Sequence, residues 1–206
     1  MKQLFILLIL IGLSYSQQNK KGYTNILSKT DGEYSKHGWN HYGPGFFTLD
    51  KNTGVLEASG GMGLFWYSVK KYKNFILELD YKTSEPKANS GIFLRVPDVP
   101  VSDDYIYHSF EIQINDKGIG KHKTAAIYDA NAASKDLSNP SGQWNHYKIT
   151  FIDDRITVQL NGDLVNDWRA TPSGKVLDFS NAGYIGLQNH DWDTKVSFKN
   201  IFIKEL

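Results

Sequence analysis

From residue 25 onward the chain is written almost entirely in short runs that alternate apolar and polar residues, each closed by Gly, Asn, Asp or Pro. Successive side chains of a strand point to opposite sides, so a run of this kind can bury one face and leave the other to a second environment. Seven such runs stand out: Phe75–Tyr81, Ser90–Val96 (stopped by Pro97), Phe110–Ile114, Thr124–Tyr128, Trp144–Phe151, Arg155–Leu160 and Gly183–Gln188, with Lys195–Lys204 closing the chain. Asn161-Gly162 is the dipeptide of a two-residue hairpin turn. No segment of ten or more residues carries helical periodicity. Many short strands without intervening helices predict an all-β fold, an antiparallel sandwich or barrel. The spacing contains no linker and no internal repeat, so residues 25–206 read as one domain. Residues 97–109 and 129–143 are the longest stretches poor in strand signal, and loops of that length on a β scaffold tend to carry function.

The first residues differ from all of this. Lys2 is followed by a nearly unbroken apolar run from Leu4 to Leu13, and Ser14-Tyr15-Ser16 then places small residues where a signal peptidase reads. A spanning helix needs about 20 apolar residues, and this run is about half that. Residues 1–16 are therefore expected to be a signal peptide and 17–24 a polar lead-in, giving a protein exported to the periplasm or beyond, with no membrane span in its mature part. Cysteine is absent, which excludes a lipid anchor on cysteine, disulfides and thiol chemistry. Basic and acidic residues nearly cancel, 23 against 22, so the chain lacks the charge that nucleic acid or an anionic membrane would select.

Sorting the runs by face gives the candidate site. Phe110, Ile112 and Ile114 form one face of their strand, and Glu111 and Gln113 the other. Ile92, Leu94 and Val96 oppose Phe93 and Arg95. Ile185 and Leu187 oppose Tyr184, Gly186 and Gln188. Each run thus pairs an apolar face with one bearing Arg, Glu, Gln or Tyr, groups suited to sugar hydroxyls. A two-carboxylate glycosidase would need an acidic partner for Glu111, yet positions 113 and 115 are amides, leaving Asp116 through a bulge as the alternative. The six histidines form no metal-binding motif, and no metal or cofactor is called for. His190, at the end of its run, is a candidate base, and His108 sits near Glu111 across a tyrosine-rich loop. Gly60–Tyr67 lacks the Lys-Ser/Thr of a phosphate loop; its Trp66 or Tyr67 either packs in the core or stacks on a sugar.

Taken in order, Gly63–Tyr67, Asn89–Arg95, Phe110–Ile114, Ala126–Tyr128, Trp144-Asn145, Asn161-Gly162, Gly186–His190 and Phe198–Ile201 resemble the 3-keto-disaccharide hydrolase family, from about Trp39 to the C-terminus. The resemblance implies a concanavalin A-like jelly-roll sandwich and activity on glycosides whose sugar carries a ketone at carbon 3. Such a ketone acidifies the proton on carbon 2, so one base and one oxyanion-stabilising group suffice for elimination, followed by hydration. On that basis Glu111 or His190 would be the base and Arg95 the partner of the developing oxyanion. Gln113, Tyr128, Gln188, Trp66 and His108 would contact the carbohydrate. The alternative is a non-catalytic, lectin-like module. Two departures from the family pattern bear on the pocket: Ala125, where a glycine is frequent, and Asp191 after His190.

Overall fold

A computed structural model describes residues 20–206; the expected signal peptide and residues 17–19 of the lead-in lie outside them. Fifteen strands are present in this range: β1 (Thr24–Asn25), β2 (Lys29–Thr30), β3 (Glu33–Tyr34), β4 (Trp39–Tyr42), β5 (Phe46–Asp50), β6 (Val55–Ser59), β7 (Gly63–Tyr72), β8 (Phe75–Thr83), β9 (Asn89–Val96), β10 (Phe110–Asn115), β11 (Asn145–Ile152), β12 (Arg155–Leu160), β13 (Asp163–Arg169), β14 (Gly183–Asn189) and β15 (Val196–Glu205). The described helices are two short 3-10 turns, Asp103–Tyr107 and Gly120–His122. None is long and apolar enough to cross a membrane.

Apart from the two-stranded pair β2-β3, the strands form two antiparallel sheets. One runs β13-β12-β11-β8-β15-β6-β5, with β1 added beside β15; the other runs β10-β9-β14-β7-β4. The apolar faces read from the sequence meet between them: Ile92, Leu94, Phe110, Ile112, Ile114, Ile185 and Leu187 are fully buried against Leu77, Leu79, Ile149 and Phe151 of the larger sheet. This is the expected β-sandwich. Full burial of one such side chain is worth about 1.5–3 kcal/mol, so the interior contacts dominate the stability of a chain that has no disulfide. Asn161 and Gly162 both take positive φ, 53° and 95°, and make the predicted hairpin turn between β12 and β13. Strands β4 to β7 and β13 were not among the runs singled out by alternation, and they complete the two sheets.

Two expectations are corrected. Thr124–Tyr128 is not a strand. It lies along the free edge of β10, where Ala125 N–H donates to Gln113 O at 2.9 Å and Tyr128 N–H to Glu111 O at 2.8 Å. Positive φ at Ala125 (66°) and Asp129 (57°) breaks the ladder into a bulged turn with a single bridge, Ile112 to Ile127. The frequent glycine of the family pattern would suit this left-handed backbone.

Arg95 also departs from its expected face. Its φ is +56°, and the β9–β14 register shifts beside it, the mark of a bulge. The extra residue reverses the alternation, so Val96 joins Phe93 on the outer face while Arg95 turns inward. Its guanidinium is fully buried 3.5 Å from the Phe151 ring centroid and donates to the carbonyls of Lys73 (3.0 and 2.6 Å) and Asp153 (2.9 Å). Arg95 therefore ties two hairpin turns together. Arg95→Ala would strip two carbonyls of their donor and leave a hole, each deprived acceptor costing about 1–3 kcal/mol. We expect a loss of at least about 3 kcal/mol in urea unfolding, with specific activity of the folded fraction retained.

Candidate active site

The outer face of the five-stranded sheet is where the polar half of the alternation lands. Across it, Glu111 of β10 stands opposite Phe93 of β9, which neighbours Gly186 of β14 and then Trp66 of β7. In the next row Gln113 pairs with Gly91. The loop after β9 folds back over part of this face. Its Tyr105 packs edge-on against Phe93, ring centroids 5.0 Å apart, and forms a second apolar cluster with Leu64, Trp66 and Val96. What stays uncovered is a cleft of about 120 Å³ lined by Met62, Asn89, Ile106, Glu111, Gln113, Tyr128, Lys175, Gln188 and His190.

Five residues anticipated from sequence thus meet in one place: Glu111, Gln113, Tyr128, Gln188 and His190. Three do not line the cleft. Arg95 lies in the interior. Trp66 is buried in the cluster under the 97–109 loop. His108 points instead to Asp178, its Nδ1 2.5 Å from Oδ1. Asp116 accepts from Thr124 Oγ1 at 2.7 Å and does not line the cleft as a second carboxyl group.

Glu111 is held by an unusual lack of space. A Cβ at Gly91 would collide with Glu111 Oε1 and lie 2.5 Å from Cγ, so the carboxyl group lies flat across the strand where any other residue would displace it. No side-chain donor holds this carboxyl among the hydrogen bonds of the described residues. Burial pushes its pKa up to about 8, with the charge of Lys175 offsetting part of the rise. At neutral pH Glu111 is therefore mostly an uncharged acid.

His190 has the opposite setting. Its Nδ1 lies 2.7 Å from Asp191 Oδ1, and its Nε2 lies 3.2 Å from Asn89 Nδ2 in the cleft. Asp191 is itself fixed: Oδ2 accepts from the Asn89 backbone N–H at 3.0 Å and from the Thr194 hydroxyl. Burial alone would raise its pKa, but the hydrogen bonds from Thr194, His190 and Asn89 hold it below the usual carboxylate range. An ionised Asp191 keeps the histidine proton on Nδ1 and leaves the Nε2 lone pair facing the cleft, where it accepts from Asn89. The pair is thus an acid held neutral and an imidazole held in its base-ready tautomer.

Three further residues had no role assigned from the sequence. Lys175 comes from the loop between β13 and β14, seated by the buried Val176 and by Leu177 N–H donating to Tyr107 O at 2.9 Å; its ammonium stands 5.2 Å from the Tyr128 ring centroid. That loop has no periodicity to read. Asn89 lies two residues before Gly91, and alternation places it on the same face. Asp191 sits directly beside His190 in the chain. Around the cleft, Gln188 Oε1 and Asn89 Oδ1 are buried without a protein partner, as are Trp66 Nε1 and Tyr105 Oη under the adjoining loop. In the cleft, Gln188 Oε1 and Asn89 Oδ1 can therefore accept from a ligand hydroxyl. No group of three or more His, Cys, Asp or Glu able to hold a metal ion occurs among the described residues.

This fold and site define a β-sandwich of the lectin and glucanase type, with its cleft on the outer face of one sheet. The chain belongs to the family of 3-keto-alpha-glucoside-1,2-lyase-like domains, whose sequence profile matches residues 23–204. A 3-keto-disaccharide hydrolase of Bacteroides thetaiotaomicron is 28% identical over 235 aligned positions, covering 90% of this chain and 79% of that protein. The crystal structure of a candidate glycosyl hydrolase from Parabacteroides distasonis superposes with a TM-score of 0.74 at 28% identity, covering 89% of this chain and 99% of the other. The carbohydrate-binding module CBM66 of Bacillus subtilis shares the fold alone: TM-score 0.55 at 17% identity, covering 82% and 96% of the two chains.

Two outcomes test this geometry. Because the Glu111 pKa rises on folding from 4.5 to about 8, the folded state binds the extra proton between those values. Stability from this group is complete below pH 4.5 and declines as pH rises to about 8. Glu111→Gln should remove that decline, which urea unfolding at about pH 5, 7 and 9 will show. Gly91→Ala keeps an allowed backbone but drives the carboxyl from its place, so activity should drop. A Gly91→Ala variant that keeps full activity would show that the flat carboxyl is not needed.

Proposed function

We propose that this protein cleaves glycosides of 3-keto sugars by elimination and then hydration, and that it acts outside the cytoplasm after removal of residues 1–16. The observation that carries this reading is the lone neutral carboxyl of Glu111 beside the His190–Asp191 pair. Conventional glycosidases need two carboxyl groups about 5–9.5 Å apart across the bond. In this cleft the partner position on β10 is Gln113, and Asp191 is engaged by His190, Asn89 and Thr194. The family assignment and the name of the Bacteroides relative point to a substrate that needs no second carboxylate.

In this reading His190 Nε2 takes the proton from C2, and the electron pair moves onto the C3 oxygen, giving an enolate that the Lys175 charge stabilises. With Arg95 in the interior, Lys175 is the cation that lines the cleft. The enolate collapses, C3=O reforms and C1=C2 forms. The C1–O bond breaks as Glu111 gives its proton to the departing oxygen. Water then adds: its oxygen bonds C1, its proton returns to Glu111, and His190 hands its proton back to C2. The sum is hydrolysis, and both residues end as they began. Positioned proton transfer of this kind contributes typically about 10²–10⁴-fold. Gln113, Gln188, Asn89 and Tyr128 hold the ring hydroxyls.

The test is to offer the mature protein a 3-keto-glucoside and its unoxidised parent. Release of the leaving group from the keto form alone is expected. Cleavage of the parent, or binding of both sugars without turnover, overturns the reading; the latter outcome makes the protein a carbohydrate-binding module. Turnover should fall as pH rises through about 8, where Glu111 loses its proton. Glu111→Gln should lower kcat at least about 100-fold. A rate that instead climbs through about pH 8 would assign Glu111 as the base.

A further inference from the structure

Beside the cleft the chain exposes two large aromatic rings. Trp192 is 73% exposed and Phe46 55% exposed. Both lie on glycine backbone. A Cβ at Gly61 would approach the Trp192 indole to 2.7 Å, and a Cβ at Gly60 would approach the Phe46 ring to 2.6 Å. Both glycines also take positive φ, 101° and 81°, a conformation that other residues rarely adopt. The shelf they form is tied to β14 at several points. Gly61 N–H donates to Asp191 O at 3.0 Å, and Asn189 Nδ2 donates to Ser59 O at 2.6 Å and to Phe46 O at 3.0 Å. The bare glycines therefore let each ring lie close against fixed backbone while most of its surface stays exposed.

The shelf and the cleft draw on neighbouring residues of the chain. Met62, next after Gly61, lines the cleft, and so does His190, two residues before Trp192. Two residues of chain span at most about 7 Å, so the Trp192 backbone lies within that distance of His190. A pyranose presents weakly positive C–H groups on one face, which match the negative face of an aromatic ring. Because the indole is already held, stacking on it costs little ordering.

We infer that Trp192, on its Gly60-Gly61 shelf with Phe46 beside it, is the subsite for the second pyranose of a disaccharide, the leaving group of the reaction proposed above. The inference rests on that reading for what occupies the cleft. It makes the protein selective for disaccharides over glycosides with a small leaving group.

The test compares kcat/KM for a 3-keto-glucosyl disaccharide with that for methyl 3-keto-glucoside. The ratio should fall about tenfold in Trp192→Ala and recover most of its value in Trp192→Phe. A ratio that stays constant, or a Phe variant as poor as the Ala variant, overturns the subsite. If the wild type turns over neither sugar, the proposed reaction fails and calorimetric titration with the same disaccharide decides the subsite. A Kd about tenfold weaker in Trp192→Ala keeps it, and equal Kd values remove it.

Discussion

The site depends on one strand being pinned from below. Phe110, Ile112 and Ile114 of β10 are buried without remainder between the sheets, and Tyr147 of the opposite sheet donates to Gln113 O at 2.8 Å through the core. Because side chains alternate strictly, pinning one face leaves Glu111 and Gln113 no choice of direction. A slip of one residue would bury a carboxyl group and an amide in the apolar core and expose three large hydrophobic residues, a penalty of many kcal/mol on ordinary transfer values. β10 is an edge strand, and an unpaired edge is where such a register would otherwise be weakest. The bulged turn of Ala125 to Tyr128 closes it with backbone hydrogen bonds and in the same stroke brings Tyr128 to the cleft.

The outer face is then divided. One part is roofed by the 97–109 loop, whose Tyr105 packs with Phe93 and Trp66; beside it Glu111 is buried enough to hold its proton. The other part stays open and carries the histidine, amides and lysine. Burial acts on Glu111 and hydrogen bonding acts on Asp191, and the two push their carboxyl groups in opposite directions. An acid and a base can thereby coexist at neutral pH within one small cleft. A lectin needs hydroxyl-binding groups but has no use for such a separation of proton affinities, and this difference supports the proposed cleavage over binding alone.

What could be read from residue order alone was the fold and the face. Alternation in β8 to β12 and β14, the Asn161-Gly162 turn and the lack of helical periodicity determine an antiparallel sandwich, because period and burial are local properties of a strand. They also bring Glu111, Gln113 and Gln188 to one surface and His190 to its end. Asp191 was in view as a departure after a family histidine, but its role came from the hydrogen bonds around it.

Tertiary structure decided the rest. A single positive φ at Arg95 reverses the alternation and converts an expected oxyanion partner into a clamp on two turns, a change of one torsion that no periodicity records. Trp66 shares the polar face by count yet is covered by a loop whose path depends on Phe93 and Tyr105. Lys175 arrives from a loop without pattern, placed by what that loop packs against. The raised Glu111 pKa arises from the same source, since desolvation belongs to an assembled surrounding. Strand identity and facing follow from short-range covalent geometry; charge state and cleft membership follow from contacts between residues far apart in the chain.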